Sequence, residues 1–358
     1  MILRGARARE GGGIATSAHR HPRGKGDPAS HATVRPRHLE GIISEPRVPR
    51  IFVSRHADGD VGRLSKKTLP RVLGAYASLT KPRIVLLLLV TTVPAMILAR
   101  RGIPSPWLLA ATLFGGSLAA GGANAINHYL DRDIDGAMAR TRRRPVPAGK
   151  IPPRSALAFG MVLGAAGSAW LALTVNPLAA SLAASAIAFY ALVYTVWLKR
   201  RSAQNIVIGG AAGGVPVLVG WAAVSGRVGL PAWVLFGVVF LWTPPHFWAL
   251  AIRCESDYRN AGIPMLPVVV GRDKTVRAIL RYVVALVGLS LVLDPVAGMG
   301  PLYLTSALVL GVTFLWAAAR LRWSPTRAQA GRLFHRSILY LGLLFLAVAL
   351  DGLLRFEL

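Results

Sequence analysis

The chain has 358 residues and a formal net charge of +27, yet only 16% of its residues are charged and 53% are hydrophobic. A soluble domain carries about a quarter charged residues, so there is too little polar surface here to coat a soluble globule. Nucleic acid is excluded as a partner by placement, because the basic residues sit between long apolar runs rather than on one compact face. The single cysteine, Cys254, excludes a disulfide framework and any all-cysteine metal site. What remains is a polytopic membrane protein with the lipid bilayer as its surroundings.

Residues 1–71 hold 15 basic and 6 acidic side chains, many Pro and Gly, and no apolar run beyond a few residues. Such a segment cannot bury enough apolar surface to offset its ordering entropy, so disorder is expected. Arg enrichment suits a cleavable organelle-targeting peptide, but the acids, the prolines and the lack of an amphipathic stretch argue against one. A dispensable extension or a mis-set start codon fits at least as well. From residue 72 the composition changes. Apolar stretches long enough to cross a bilayer occur near 84–99, 107–127, 155–174, 178–197, 205–224, 231–252, 276–293, 302–319 and 335–352. The expected fold is therefore all-α: nine transmembrane helices, bundled around a central cavity, in one domain over 72–358. Only Thr174-Val175-Asn176-Pro177 separates the third stretch from the fourth, which predicts a tight hairpin.

The connections carry an orientation. Those after the second, fourth, sixth and eighth stretches are crowded with Arg and Lys, including Arg140, Arg142, Arg143, Arg144, Lys199, Arg200, Arg201, Arg272 and Arg322. The others hold only Arg100, Arg101 and Arg227. By the positive-inside rule the N-terminus and the basic connections face the cytoplasm, and the C-terminus lies outside. Trp107, Trp221 and Trp233 then mark the outer interface, and Trp197 and Trp323 the inner one.

After residue 71 only nine acids remain, and five of them form two clusters, at the inner ends of the second and sixth stretches. Carboxylates are costly at membrane depth, so clustering them calls for a cation or a function. In the first cluster Asn127, Asp131 and Asp135 are spaced i, i+4, i+8, which stacks an amide and two carboxylates on one helical face. Asp133 points to the other side. Hard oxygen ligands in a column suit Mg²⁺, which keeps several waters and is commonly shared with substrate phosphates. Arg140 and Arg144 follow directly as phosphate-binding donors. The plain alternative is a topogenic loop with solvated acids. The second cluster, 253–259, holds Glu255, Asp257 and Tyr258; there Asp257 is four residues from Arg253, so a surface ion pair is the competing explanation. His246 follows Pro244-Pro245, which free backbone carbonyls within the sixth stretch. It is a candidate ligand or proton handler, or else a structural histidine bonded to a freed carbonyl. For His128 and His335 an interfacial position is the favoured reading. The overlapping pairs Gly209/Gly213 and Gly210/Gly214 favour close helix packing over any ligand.

These residues carry a family likeness. NxxxDxxxD followed by MxRTxxRP at 138–145 resembles the first motif of the UbiA-type intramembrane prenyltransferases. LTKPRI at 79–84, YTVWLKR at 194–200, NIVIGGAAGG at 205–214, WTPPHFWALAI at 242–252 and DYRNAGIPMLPVVVG at 257–271 are similar, more narrowly, to the branch that farnesylates protohaem IX. Together they cover most of 74–352 and leave 1–71 without a counterpart. Arg253 stands where the superfamily's second motif, DxxxD, begins, so only Asp257 carries over. The resemblance implies a bacterial plasma membrane, with the active site on the cytoplasmic side; a mitochondrial inner membrane is the less favoured location. It implies Mg²⁺ as cofactor, held by Asn127, Asp131, Asp135 and Asp257. It implies farnesyl diphosphate and haem b as substrates, with Lys81, Arg83, Arg140, Arg144, Lys199, Arg200, His246 and Tyr258 in substrate binding, and Lys81 and Arg83 unassigned between diphosphate and haem propionates. A haem A synthase or an oxidase assembly protein is a candidate partner. Two alternatives stay open: a related enzyme prenylating an aromatic or quinone precursor, and an anion transporter or assembly scaffold. A DGxxAR-like string at 135–140 starts like the CDP-alcohol phosphatidyltransferase signature, but Pro153 and Leu157 stand where its next acids belong.

Overall fold

The computed structural model of the protein describes residues 68–356. The disorder expected for 1–71 thus falls outside the described residues up to 67, while 68–71 open the first helix, α1 (Thr68–Leu79). This helix is amphipathic. It exposes Leu69 and Leu73, buries Leu79, and sets the Tyr76 ring edge-on to Phe159 with centroids 5.1 Å apart. Lys81 then turns the chain with a left-handed backbone, φ 52°, ψ 65°, into α2 (Pro82–Arg100). Pro82 suits a first helical position, where no N–H is needed.

The remaining helices follow in order. They are α3 (Pro106–Leu130), the short α4 (Arg132–Ala137), α5 (Pro153–Thr174) and α6 (Pro177–Ala188). α6 continues through a π-helical stretch, Phe189–Leu198, into α7 (Lys199–Arg201). Next come α8 (Asn205–Ser225), α9 (Leu230–Arg253), the short α10 (Glu255–Asn260) and α11 (Leu266–Val270), then α12 (Arg272–Ala297), α13 (Pro301–Trp323) and α14 (Arg327–Phe356). Counting α6 to α7 as one unit, nine helices among the described residues are long and apolar enough to cross a membrane. All nine expected stretches lie in these helices. The hairpin is as tight as its four residues require: Asn176 caps α6 by accepting from the Ala179 N–H at 2.8 Å, and its amide donates to the Ala222 carbonyl at 2.8 Å.

Neighbours in sequence are neighbours in space. α3 packs on α5, α5 on α6, α6 on α8, α8 on α9, α9 on α12, α12 on α13 and α13 on α14, while α2 lies against α8 and α14. Apolar helices in lipid gain little from burying apolar surface against each other, so association depends on close backbone approach. The α3–α5 contact shows it. A Cβ placed on Gly122 would sit 2.4 Å from the Gly164 nitrogen, and one on Gly167 would sit 2.5 Å from the Ala119 nitrogen. Gly210 and Gly214 likewise admit Thr243 and Phe236 of α9, which is the packing role expected of the overlapping pairs. At the opposite end from the acidic clusters, Asp351 of α14 is only 2% exposed. It accepts from the N–H groups of Gly300 at 2.7 Å and Tyr303 at 3.0 Å, so it caps the start of α13.

Gly122→Val should therefore force α3 away from α5, because the obstacle is backbone and cannot rotate aside. Overpacking costs about 1–3 kcal/mol in ordinary cores, so a thermal midpoint lower by roughly 5 °C is expected in detergent. Gly116→Val, on the same helix with open space at its Cβ, should stay near the parent value; equal losses for the two variants would refute the contact.

Candidate active site

The acidic column forms where α3 gives way to α4. Asp131 breaks the helix with φ −94°, ψ 6°, yet the i to i−4 pattern survives the break: Asp131 N–H donates to the Asn127 carbonyl at 2.9 Å and Asp135 N–H to the Asp131 carbonyl at 2.7 Å. The three side chains thus keep their shared face across a hinge that periodicity alone does not reveal. Asp131 is 0% exposed and Asp135 2%.

Cations from three other segments close on this column. Lys199 Nζ donates to Asp131 Oδ2 at 2.5 Å, and the Asn127 amide donates to the same oxygen at 2.7 Å. Asp131 Oδ1 is buried with no partner. Lys81 Nζ donates to Asn127 Oδ1 at 2.8 Å, reaching it from the left-handed turn before α2. Arg144 grips both oxygens of Asp135, at 2.8 and 2.7 Å, and the Thr141 hydroxyl donates to the Asp135 carbonyl at 3.0 Å. Burial, reinforced by the charges of Arg144 and Lys199, brings the Lys81 ammonium down from 10.5 to about 7.

The π-helical stretch supplies the opposite wall. Its wider turn lets the Thr195 hydroxyl donate to the Tyr190 carbonyl, five residues back, at 2.8 Å while accepting from the Asn127 amide at 3.2 Å. Tyr190 and Tyr194 stack with centroids 5.5 Å apart. Lys81, Tyr190 and Tyr194 are each half-buried beside the column. Arg140 lies beside the buried Tyr258 hydroxyl; burial pushes that phenol up, and Arg140 pulls the other way. Helix α10 is in this way tied to the 138–144 loop.

Not every expected residue joins the column. Arg200 instead pairs bidentately with Asp133 at 2.7 and 2.8 Å and donates to the Leu130 carbonyl at 2.8 Å, on an exposed rim. That bond brings the Asp133 carboxyl down to about 2. Arg83 faces the other way from Lys81, into an apolar groove of about 610 Å³ lined by Thr80, Leu89, Phe114, Phe159 and Leu163. Asp257 is half-buried and forms no ion pair with Arg253; the ion pairs of that cluster belong to Glu255, with Arg259 at 2.6 Å and Arg272 at 3.0 Å. Among the described residues no three Asp, Glu, His or Cys side chains converge tightly enough to hold a metal. His128 is 2% exposed and neither ring nitrogen has a partner. His335 is exposed and bonds the Gly331 carbonyl one turn back at 2.8 Å. His246 is bonded to Ser337 of α14 rather than to a carbonyl freed by the prolines. Thr195, Tyr190 and Tyr194 were not singled out, because no α-helical spacing relates them to Asn127.

Comparison with known proteins gives this arrangement a family. Residues 88–348 match the model of the UbiA prenyltransferase family. The protohaem IX farnesyltransferase of Gloeobacter violaceus is 53% identical over 296 residues, covering 82% of this chain and 97% of that protein. The protein of the same name from Frankia alni is 55% identical over 281 residues, covering 78% and 97%. Among solved structures, digeranylgeranylglyceryl phosphate synthase superposes with a TM-score of 0.67 at 21% identity, over 80% of this chain and all of that one. A UbiA homologue from Archaeoglobus fulgidus bound to DMAPP and Mg²⁺ gives 0.52 at 16% identity, over 76% and 99%. At those identities the structural likeness is one of fold, and the sequence match over most of the chain is what decides descent: this protein belongs to the UbiA prenyltransferase family.

Proposed function

We propose that the protein is a protohaem IX farnesyltransferase, moving the farnesyl group of farnesyl diphosphate onto a vinyl group of haem b, with addition of water, to give haem O and pyrophosphate. The observation that carries this reading is the buried Asp131, one oxygen held by Lys199 and Asn127 and the other without a partner, inside a ring of cations. Relatives 50–55% identical over nearly their whole length bear that enzyme's name, which favours haem over an aromatic or quinone precursor. The charges crowd at one end of the bundle, which favours group transfer over transport. The positive-inside bias puts that end in the cytoplasm, and a bacterial plasma membrane suits the organisms of these relatives.

The donor set fits a hard divalent cation. Asp131 Oδ1 is an anionic oxygen with nothing bound to it, and the other oxygens of the column are held by ammonium and guanidinium groups that a metal–diphosphate can replace. Asn127, Asp131 and Asp135 would hold Mg²⁺, with Asp257 reaching the diphosphate from α10. When bound, the metal would draw negative charge from the diphosphate oxygens. The protein's own groups do the rest. Lys81, Lys199, Arg140 and Arg144 stabilise the charge that gathers on pyrophosphate as the C1–O bond ionises. The stacked rings of Tyr190 and Tyr194 would shield the allylic cation from water until it meets the vinyl carbon. The cation then formed beside the pyrrole takes hydroxide from water, whose proton leaves to solvent.

Incubating purified protein with haem b, farnesyl diphosphate and Mg²⁺ should yield a more hydrophobic haem on reversed-phase chromatography, and chelation should stop it. Prenylation of a quinone precursor alone would overturn the substrate assignment. Asp131→Asn should lower turnover at least about 100-fold while the protein still inserts; undiminished turnover would remove Asp131 from the site. Lys199→Met strands a buried carboxylate and should cost about 3–5 kcal/mol of stability. The double variant Lys199→Met/Asp131→Asn should recover that stability yet remain inactive, which thermal unfolding and turnover together would show.

A further inference from the structure

The outward side of the last two spanning helices carries two arginines that no acid answers. On α13, Val312, Trp316 and Arg320 are spaced i, i+4, i+8 and all are exposed, so they form one stripe along the outside of the bundle. On α14, Arg336, Leu339 and Leu343 recur at three and four residues and form a second stripe, with Arg336 half-buried and both leucines exposed. The stripes adjoin at one indole. The Arg320 guanidinium carbon lies 4.8 Å from the Trp316 ring centroid, and that of Arg336 lies 5.0 Å from it. The two helices cross in opposite directions, so each arginine stands at the inner end of its stripe and the apolar residues lead outward from both.

Charge within a spanning segment normally has a partner. Arg336 stands about 13 Å along its helix from Arg327. Among the described residues, however, neither it nor Arg320 forms an ion pair. α13 has no carboxylate, and the one on α14, Asp351, is about 22 Å further along the helix, where it caps α13. The indole answers part of the need, because its ring quadrupole attracts a cation. It brings no net negative charge, and two guanidiniums gathered at one ring repel each other. Snorkelling, the plain explanation for an arginine near a membrane face, carries such heads apart into water. Here they converge.

We propose that Arg320, Arg336 and Trp316 form a binding site for an anionic phospholipid of the cytoplasmic leaflet. The lipid phosphate lies between the two guanidiniums, whose forked N–H groups match its oxygens. An acyl chain runs outward along the Val312 and Leu339 stripes. Gly342, one turn beyond Leu339, leaves a notch on that helix, since nothing lies within 4 Å of the place its Cβ would take. The positive-inside bias puts this end of the bundle at the surface where anionic lipids attract basic residues. A zwitterionic lipid brings its own ammonium and leaves the pair less compensated. Neither arginine touches the acidic column, so the site stands independently of the proposed reaction.

The test is native mass spectrometry of the full-length protein in micelles holding equal amounts of phosphatidylglycerol and phosphatidylcholine with the same chains. The wild type should retain phosphatidylglycerol with a preference of at least about tenfold. Arg320→Gln and Arg336→Gln should each weaken that retention about fivefold, and the double variant should lose the preference. Should the double variant fail to insert, the single variants carry the test. Arg322→Gln/Arg327→Gln removes two other arginines of the same helices and should leave the bound lipid in place. Equal retention of both lipids by the wild type, unchanged retention in the Arg320 and Arg336 variants, or an equal loss in the Arg322/Arg327 control would overturn the site. Millimolar inorganic phosphate should not displace the lipid; full displacement would mean a free-anion site and would overturn the proposal as well.

Discussion

A carboxylate with no exposed surface at the end of an apolar bundle cannot stay ionised unless charge and hydrogen bonds replace its water. Asp131 meets that condition only halfway. Lys199 and Asn127 satisfy one oxygen, and the other is left without a donor. Much of the architecture around it follows from arranging that half-compensation. α7 must end where Lys199 can reach, α2 must begin with a backbone that swings Lys81 onto Asn127, and the 138–144 loop must fold back so that Arg144 covers Asp135. Lys81 adopts the left-handed conformation without being glycine, a choice costing of order 1–3 kcal/mol that the surrounding contacts hold in place.

Two buried acids at opposite ends of the bundle show how differently the same group can be treated. Asp351 takes backbone N–H groups from Gly300 and Tyr303 and serves to join α14 to α13. Its hydrogen bonds run to main chain, so it has no mobile counter-ion to exchange. Asp131 is surrounded by side-chain cations on flexible stems, which can rearrange when an anion and a metal arrive. The distinction between a structural acid and a functional one lies in the partners, since both are almost wholly buried.

Much of this was legible before any coordinates. Hydropathy alone located all nine spanning helices, and the helical spacing of Asn127, Asp131 and Asp135 placed them on one face, because i to i−4 bonding continues through the hinge at Asp131. The hairpin at 174–177 was equally plain, since so short a connection leaves no other course. What resisted reading was anything set by a side chain's choice between neighbours. Lys81 and Arg83 are two residues apart and both basic, yet the left-handed turn sends one into the site and leaves the other facing a groove. Lys199 and Arg200 are adjacent, yet one takes Asp131 and the other Asp133.

The π-helical stretch explains part of that difficulty. Each residue of a wider turn advances by a smaller angle than in an α-helix, so a wheel drawn with the usual pitch from Pro177 onward misplaces every side chain beyond Phe189. Thr195, Lys199 and Arg200 all lie downstream of that offset. The segment is consequently a spacer whose length matters as much as its composition, because its wider turns set the direction in which Thr195 and Lys199 meet the acidic column.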